Sequence, residues 1–330
     1  MVSRNIARLV ELTRLGVKCI GINSNIDVVI RGEGEMAMAE VADGKPLDDI
    51  FGLVYKTEGR IIQNIDRPLI EDLKTIPFPL VDQLPLQRYC YPHIGNCIVV
   101  ISSRGCPHSC SFCTIKKAKG NVKSRSMDII ISEFKAGISA GHKKIVLAAD
   151  DTGAYGQDIG TNLVELLERL VRIPGDFLIY IRNLEPTWLL KFFDRFIEIV
   201  KSKKVRAITV PIQTGNDKVL LAMKRGHRIQ PLIEKLQQLN RETPYLLILT
   251  HFMVGLPGED KKAFKDTLKL LKEVRFEGVA PDRFYPHPAT LAAKMDGRIS
   301  ELTKTWRNTI LIANIIWTVY LNRGKLKGLR

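Results

Sequence analysis

Three cysteines stand in one short run, Arg104-Gly105-Cys106-Pro107-His108-Ser109-Cys110-Ser111-Phe112-Cys113. The spacing C-x3-C-x2-C lets three close thiolates hold three irons of a cubic 4Fe–4S cluster. The run supplies no fourth cysteine, so one iron would stay open to another ligand, which is a catalytic arrangement rather than a storage one. The alternative is a zinc site completed by His108 or Cys97, although zinc motifs normally pair one C-x2-C with a second. Almost everything else in the chain can be read around this run.

From Cys97 onward a regular alternation begins. Continuous apolar stretches predict strands at Ile98–Ser102, Lys144–Ala149, Phe177–Arg182, Val205–Pro211, Leu246–Val254 and Val279–Tyr285. Helical spacing lies between them at Met127–Ala140, Gly160–Arg172, Glu185–Lys201, Lys218–Met223 with Gln230–Asn240, and Lys261–Glu273. Such strands suit a parallel sheet covered by helices. Six βα units predict an α/β chain built on an incomplete parallel (βα)6 TIM-like barrel, whose chemistry sits at the carboxyl ends of the strands. The cysteine run follows the first strand directly and so falls at that face.

The flanks read differently. Ile6–Leu15 has helical spacing, Val17–Ile22 reads as a strand, and Asp27–Glu35 as a second strand ending in a glycine-acid turn. Together they predict a small N-terminal α/β remnant, the last portion of an open domain. Prolines 46, 68, 77, 79, 85 and 92 punctuate a linker with a hairpin around Leu53–Ile65. Glu301–Leu321 is a predicted helix, packed on the barrel or at an interface, followed by a basic tail. The expected division is 1–95, N-terminal segment and linker; 96–295, barrel; 296–330, C-terminal helix and tail. No repeat beyond the βα alternation is visible.

In 330 residues, 50 Lys and Arg face 35 Asp and Glu, a net charge of +15. That surplus suits a polyanion such as RNA or an anionic membrane surface, or else reports only solubility. Six cysteines are not a disulfide framework. With no signal-peptide pattern at Met1–Val10 and no apolar stretch long enough to span a bilayer, a cytoplasmic location is expected.

Cys106, Cys110 and Cys113, with Phe112 before the last of them, resemble the signature of the radical S-adenosylmethionine superfamily. The resemblance implies that the open iron is chelated by S-adenosylmethionine, whose reductive cleavage yields a 5′-deoxyadenosyl radical, with an electron donor such as ferredoxin or flavodoxin. It also implies roles at the other strand ends. Asp150, Asp151 and Gly153 would receive the methionine amino group or a cation, or else form a helix-capping turn. Arg182 would pair with the methionine carboxylate. Gln213 would bond ribose or substrate, and the turn at Gly255 and Pro257 would take the adenine.

Residues 100–295 resemble more narrowly the core of the tRNA methylthiotransferases, in the branch acting on threonylcarbamoyladenosine. The likeness rests on Asp151–Leu163, Val210–Gly215, Met223-Lys224-Arg225, Gly255–Glu259 and Phe284–Pro288 with Ala292–Met295. It implies methylthiolation or methylation of a tRNA adenosine. That family also carries an N-terminal domain, with three further cysteines for a second cluster that supplies sulfur, and a C-terminal RNA-binding barrel. Cys19, Cys90 and Cys97 stand in surroundings unlike that domain and read as buried cysteines. Asp27–Glu35 and Ile76-Pro77-Phe78-Pro79 resemble instead the end of a cobalamin-binding domain. A cobalamin-type methyltransferase acting on a small molecule, lipid or peptide, or a non-catalytic RNA-binding relative, are the alternatives. His93, His142, His227, His251 and His287 are scattered and read as structural.

Overall fold

A computed structural model describes residues 9–12, 26–79 and 97–321. The chain divides into two compact units, Met1–Pro77 with Ile115–Asn121, and Phe78–Thr114 with Val122–Arg330.

The smaller unit carries a four-stranded sheet in the order β1-β2-β3-β4. Strand β1 (Leu9–Leu12) runs parallel to β2 (Val28–Arg31), which pairs antiparallel with β3 (Leu53–Thr57). Strand β4 (Arg60–Gln63) closes a hairpin on β3. Its two turn residues, Glu58 and Gly59, both have positive φ (47° and 75°), the geometry of a tight turn that matches strand twist. The hairpin agrees with expectation. The helix expected over Ile6–Leu15 is corrected, since Leu9–Leu12 is a strand in parallel register with Val28–Arg31. A short apolar run fits either period, and here pairing with a neighbouring strand decides. The strand expected at Val17–Ile22 lies outside the described residues. Helix α1 (Glu35–Ala42) falls at the start of the stretch read as linker. It buries Ala37 and Val41, one turn apart, against Ile30, Ile50, Leu53 and Tyr55. A second short helix, α2 (Ile115–Lys119), belongs to this unit.

The larger unit is built on six parallel strands: β5 (Ile98–Ile101), β8 (Lys144–Ala148), β9 (Leu178–Ile181), β10 (Val205–Thr209), β11 (Leu247–Val254) and β12 (Gly278–Arg283). Spatial order follows sequence order, and β5 and β12 are the two edges. The sheet is thus an open barrel wall. Two two-residue strands, β6 (Ser103–Arg104) and β7 (Lys123–Ser124), pair beyond the end of β5. All six expected strands are present.

Helices cover the outer face. They are α3 (Met127–Ser139), α4 (Leu163–Val171), α5 (Pro186–Lys191), α6 (Phe193–Lys201), α7 (Asp217–Ala222), α8 (Ile229–Glu242) and α9 (Lys261–Glu273). Alternate strand residues such as Ile145, Leu147, Ile179, Ile181 and Ile208 meet these helices in the main core. Val146, Ala148, Tyr180 and Ala207 point the other way, into the lumen. The segment expected as one helix over Glu185–Lys201 breaks at Phe192, whose ring stacks 6.5 Å from Trp188.

Helix α10 (Glu301–Ile315) continues as a π-helical turn over Ile316–Leu321. Leu311, Ile315 and Val319 enter the main core, and buried Arg307 donates to Glu259 Oε2 at 2.6 Å and to its carbonyl at 2.8 Å. The helix therefore packs on the barrel. Among the described residues no helix is long and apolar enough to cross a membrane.

Phe134 of α3 is fully buried and meets Phe177 edge-on at 6.5 Å. Phe134→Ala is expected to cost about 3–5 kcal/mol, read as a lower urea midpoint at unchanged slope; a cost under about 1 kcal/mol would refute this placement of the core.

Candidate active site

The cysteine loop leaves the carboxyl end of β5 and is fixed at three places. At its start, the Ser102 N–H donates to the Ala148 carbonyl at 2.9 Å, and the Gly105 N–H to Asp150 Oδ2 at 2.9 Å. Gly105 has φ +79°, a conformation that glycine adopts without strain. At its end, Ser111 donates its N–H to the Met223 carbonyl (3.0 Å) and its hydroxyl to the Ala222 carbonyl (2.8 Å). Phe112 packs beside a small core of Val219, Met223, Leu256, Ala263, Phe284 and Ala292. In the middle, the Arg225 guanidinium donates to Cys110 Sγ at 3.7 Å.

Cys106, Cys110 and Cys113 form no disulfide bond, and each is partly exposed. Burial pushes the Cys106 thiol up to about 12; the His108 backbone N–H opposes this, while Asp151, Cys110 and Cys113 add to it. Cys110 and Cys113 thus both lie near the Cys106 sulfur. Three sulfur donors on one loop, each able to take a different iron, fit a cubane with one iron left open. Neither proposed fourth zinc ligand serves. Cys97 sits at the opposite end of β5, roughly 13 Å or more along the strand at about 3.3 Å per residue, and packs in the lumen. The His108 ring faces Asp151, with Nε2 3.0 Å from Oδ2. Cys19 and Cys90 lie outside the described residues.

The strand ends gather as expected, with roles that differ in detail. Asp150 fixes the cysteine loop through Gly105. Asp151 is 3% exposed and accepts from the Gly153 N–H (3.1 Å) and from Trp188 Nε1 (2.8 Å). It caps the 3-10 turn Thr152–Ala154, as the capping alternative describes. Gly153 does permit a close approach, but by the Trp188 ring, which any Cβ there would overlap. Arg182 follows β9; its N–H donates to the Leu147 carbonyl at 3.0 Å and its carbonyl accepts the Thr152 hydroxyl.

Gln213 departs furthest from ordinary geometry. Its φ is +74°, uncommon for a side-chain-bearing residue and a mark of functional strain. Its backbone bonds to β11 on both sides, to His251 and Met253, each at 2.8 Å. Its side chain is buried, and Oε1 has no hydrogen-bond partner among the described residues. An orphaned buried amide beside the loop is what a polar ligand would satisfy. Gly255 (φ +88°) and Pro257 line a cleft of about 420 Å³ with Phe284, Ala292 and Lys304.

Beneath the loop lies a charge network that the sequence did not reveal. Glu185 precedes Pro186 at the start of α5, and its Oε2 accepts the Thr187 N–H at 2.7 Å. Its Oε1 lies 3.1 Å from Arg225 Nη2 and 3.3 Å from His227 Nδ1. Burial alone would raise this carboxyl; the His227 hydrogen bond, the Arg225 charge and the Thr187 N–H outweigh it and hold it at about 2. Glu185 is far in sequence from Arg225 and His227. The only hints were a Glu before a helix-starting Pro and the Met223-Lys224-Arg225 segment. His227 is structural, as expected.

Residues 100–271 match the family described as the Radical SAM superfamily. The chain is 34% identical over 246 residues to the "Probable threonylcarbamoyladenosine tRNA methylthiotransferase" of Pyrococcus horikoshii, covering 73% of this chain and 58% of that one. It is also 34% identical over 200 residues to the "Threonylcarbamoyladenosine tRNA methylthiotransferase" of Homo sapiens, covering 60% and 34%. The chain therefore spans less than two thirds of the length of these curated relatives. Among solved structures, the radical S-adenosylmethionine methyltransferase TsrM from Kitasatospora setae, with cobalamin and [4Fe-4S] cluster bound, superposes with TM-score 0.59 at 17% identity, covering 84% of this chain and 55% of that one. The cobalamin-dependent S-adenosylmethionine radical enzyme OxsB, with aqua-cobalamin bound, superposes with TM-score 0.57 at 12% identity, covering 86% and 41%. At those identities the likeness is one of fold. The family match takes in just over half of the sequence and contains the cysteine loop and five of the six strand ends; the chain belongs to the radical SAM superfamily, and is an enzyme that works with a 4Fe–4S cluster and S-adenosylmethionine.

Proposed function

We propose that Cys106, Cys110 and Cys113 hold the cluster and that the chain methylthiolates or methylates a tRNA adenosine. The observation that carries the reading is the three-cysteine loop at the carboxyl end of the first barrel strand, tied there by Asp150 and Arg225. Bound together, cluster and S-adenosylmethionine supply a radical able to abstract hydrogen from an unreactive carbon. The chain's own residues bind and orient. Asp150 holds the loop entrance, Phe112 seats the loop exit in a small core, and the Asp151–Gly153–Trp188 turn braces the loop from beside it. Gln213 offers its unsatisfied amide oxygen to ribose or substrate. Arg182 offers a cation to a carboxylate, and the Gly255–Pro257 turn offers the adenine a cleft of mixed lining, with Phe284 and Ala292 beside Lys304.

An RNA partner is favoured by the relatives' named substrate and by α9. Its buried face is Ala263, Phe264, Thr267, Leu270 and Leu271. Its exposed face carries Lys261, Lys262, Lys265, Lys269 and Lys272. A lysine stripe of this kind suits a phosphate backbone. The cobalamin reading is supported separately by the fold neighbours, whose superposition covers more of the chain than residues 96–295 alone. Corrin absorbance in the purified protein would favour it.

Anaerobic reconstitution is expected to load about four irons per chain and to yield 5′-deoxyadenosine from S-adenosylmethionine under reduction. Cys110→Ala is expected to abolish both. Undiminished 5′-deoxyadenosine formation by that variant would sink the assignment, and about eight irons in the wild type would revive a second, sulfur-donating cluster.

Reversing Lys261, Lys265 and Lys272 to Glu is expected to weaken tRNA binding at least about tenfold at 0.1 M salt. It should also flatten the log-affinity against log-salt slope by about 0.7–0.9 per lost phosphate contact. Equal affinity and slope in filter binding would refute this face as the RNA contact.

A further inference from the structure

The Arg225 guanidinium donates a hydrogen bond to a cysteine sulfur of the loop. Its side chain is 7% exposed, and three partners fix it. Nη1 donates to Cys110 Sγ at 3.7 Å, Nη2 donates to the Pro211 carbonyl at 2.7 Å, and Glu185 Oε1 lies 3.1 Å from Nη2. Glu185 is itself pinned by the Thr187 N–H, with His227 beside it. The same carboxylate approaches the cysteine run a second time, with Oε2 3.9 Å from His108 Nε2. A planar fork that reaches a sulfur, a carbonyl and a carboxylate at once is a task for arginine that lysine cannot reproduce.

We propose that Arg225 is a positioning residue of the cluster site, stabilising the Cys110 thiolate and thereby the reduced state of the cluster it holds. This rests on the cluster assignment above. The physical ground is that hydrogen bonds and charge at the ligand sulfurs set the reduction potential of an iron–sulfur cluster. A cation held within 4 Å of one ligand sulfur in a partly desolvated site favours the extra negative charge of the reduced form. Glu185 restrains Arg225 and tempers that charge. The network thus holds the loop in place and biases the electron it receives.

The test compares Arg225→Met and Arg225→Gln with Lys224→Met, which removes a charge from the exposed neighbour. Each is reconstituted anaerobically, its iron counted, and its cluster titrated with the reduced signal followed by electron paramagnetic resonance. The two Arg225 variants are expected either to lose iron while keeping the wild-type circular dichroism, or to hold about four irons with the reduced-to-oxidised ratio at a fixed potential at least tenfold lower. That ratio is about 59 mV for a one-electron couple. Lys224→Met should match the wild type, and Arg225→Lys should recover part of the loss. Should Arg225→Met fail to fold, the Gln variant carries the measurement. A folded Arg225 variant with four irons and an unchanged midpoint overturns the proposal. A wild-type chain that takes up no iron overturns the cluster assignment instead.

Discussion

Parallel pairing in strict chain order is the constraint from which the rest follows. Each strand of the β5-β8-β9-β10-β11-β12 sheet is joined to the next by a helical crossover on one side, so every strand must end at the same rim. Residues distant in sequence then become neighbours without any one of them being special. Gly105 meets Asp150, Thr152 meets Asn183, and Gln213 lies between His251 and Met253. The cysteine loop needs this rim. Its own sequence has a short turn at Cys110–Cys113 to shape it, and further anchors come from the end of β8, from α7 and the turn over residues 223–225 after it, and from Ala292 beyond β12.

The anchors are costly groups to bury. Glu185, Arg225 and Asp151 would each lose strongly favourable hydration, and a buried ion pair often does no better than apolar packing of the same volume. What such a network contributes is geometry. Asp151 accepts from Gly153 and Trp188, and Glu185 accepts from Thr187 while facing Arg225 and His227. Removing any one member would leave another buried and unsatisfied, so the arrangement tolerates few alternatives. A loop that must present three sulfurs at fixed separations gains from a support with one solution.

How much of this was legible in the sequence follows from the range of the interactions. Strands such as Lys144–Ala148 and Val205–Thr209 stood out as apolar runs, because a doubly covered parallel strand buries both faces. The cysteines, and the strand-end positions of Asp150, Arg182, Gln213 and Gly255, were legible because the rim rule converts strand boundaries into locations. What a residue does at the rim was not. Asp151 and Gly153 read as ligand contacts or a capping turn; within the fold they meet Trp188 and each other, with His108 beside Asp151, and no periodicity links position 151 to position 188. Leu9–Leu12 failed for the opposite reason. Four residues carry too little pattern, and the pairing with Val28–Arg31 decides the outcome.

The rim therefore separates into two kinds of residue. Asp150, Asp151 and Arg225 bond to other protein groups and, with Gly153 and Phe112, support the loop. Gln213 combines two other features: it adopts a left-handed backbone at a strand end, and its buried amide oxygen has no partner among the described residues. Backbone strain at such a residue persists only where the neighbouring structure enforces it. Here two hydrogen bonds to β11 do so. The rim thus directs hydrogen bonds from Asp150 and Arg225 to the cysteine loop, while Gln213 holds a buried acceptor on a left-handed backbone at a strand end.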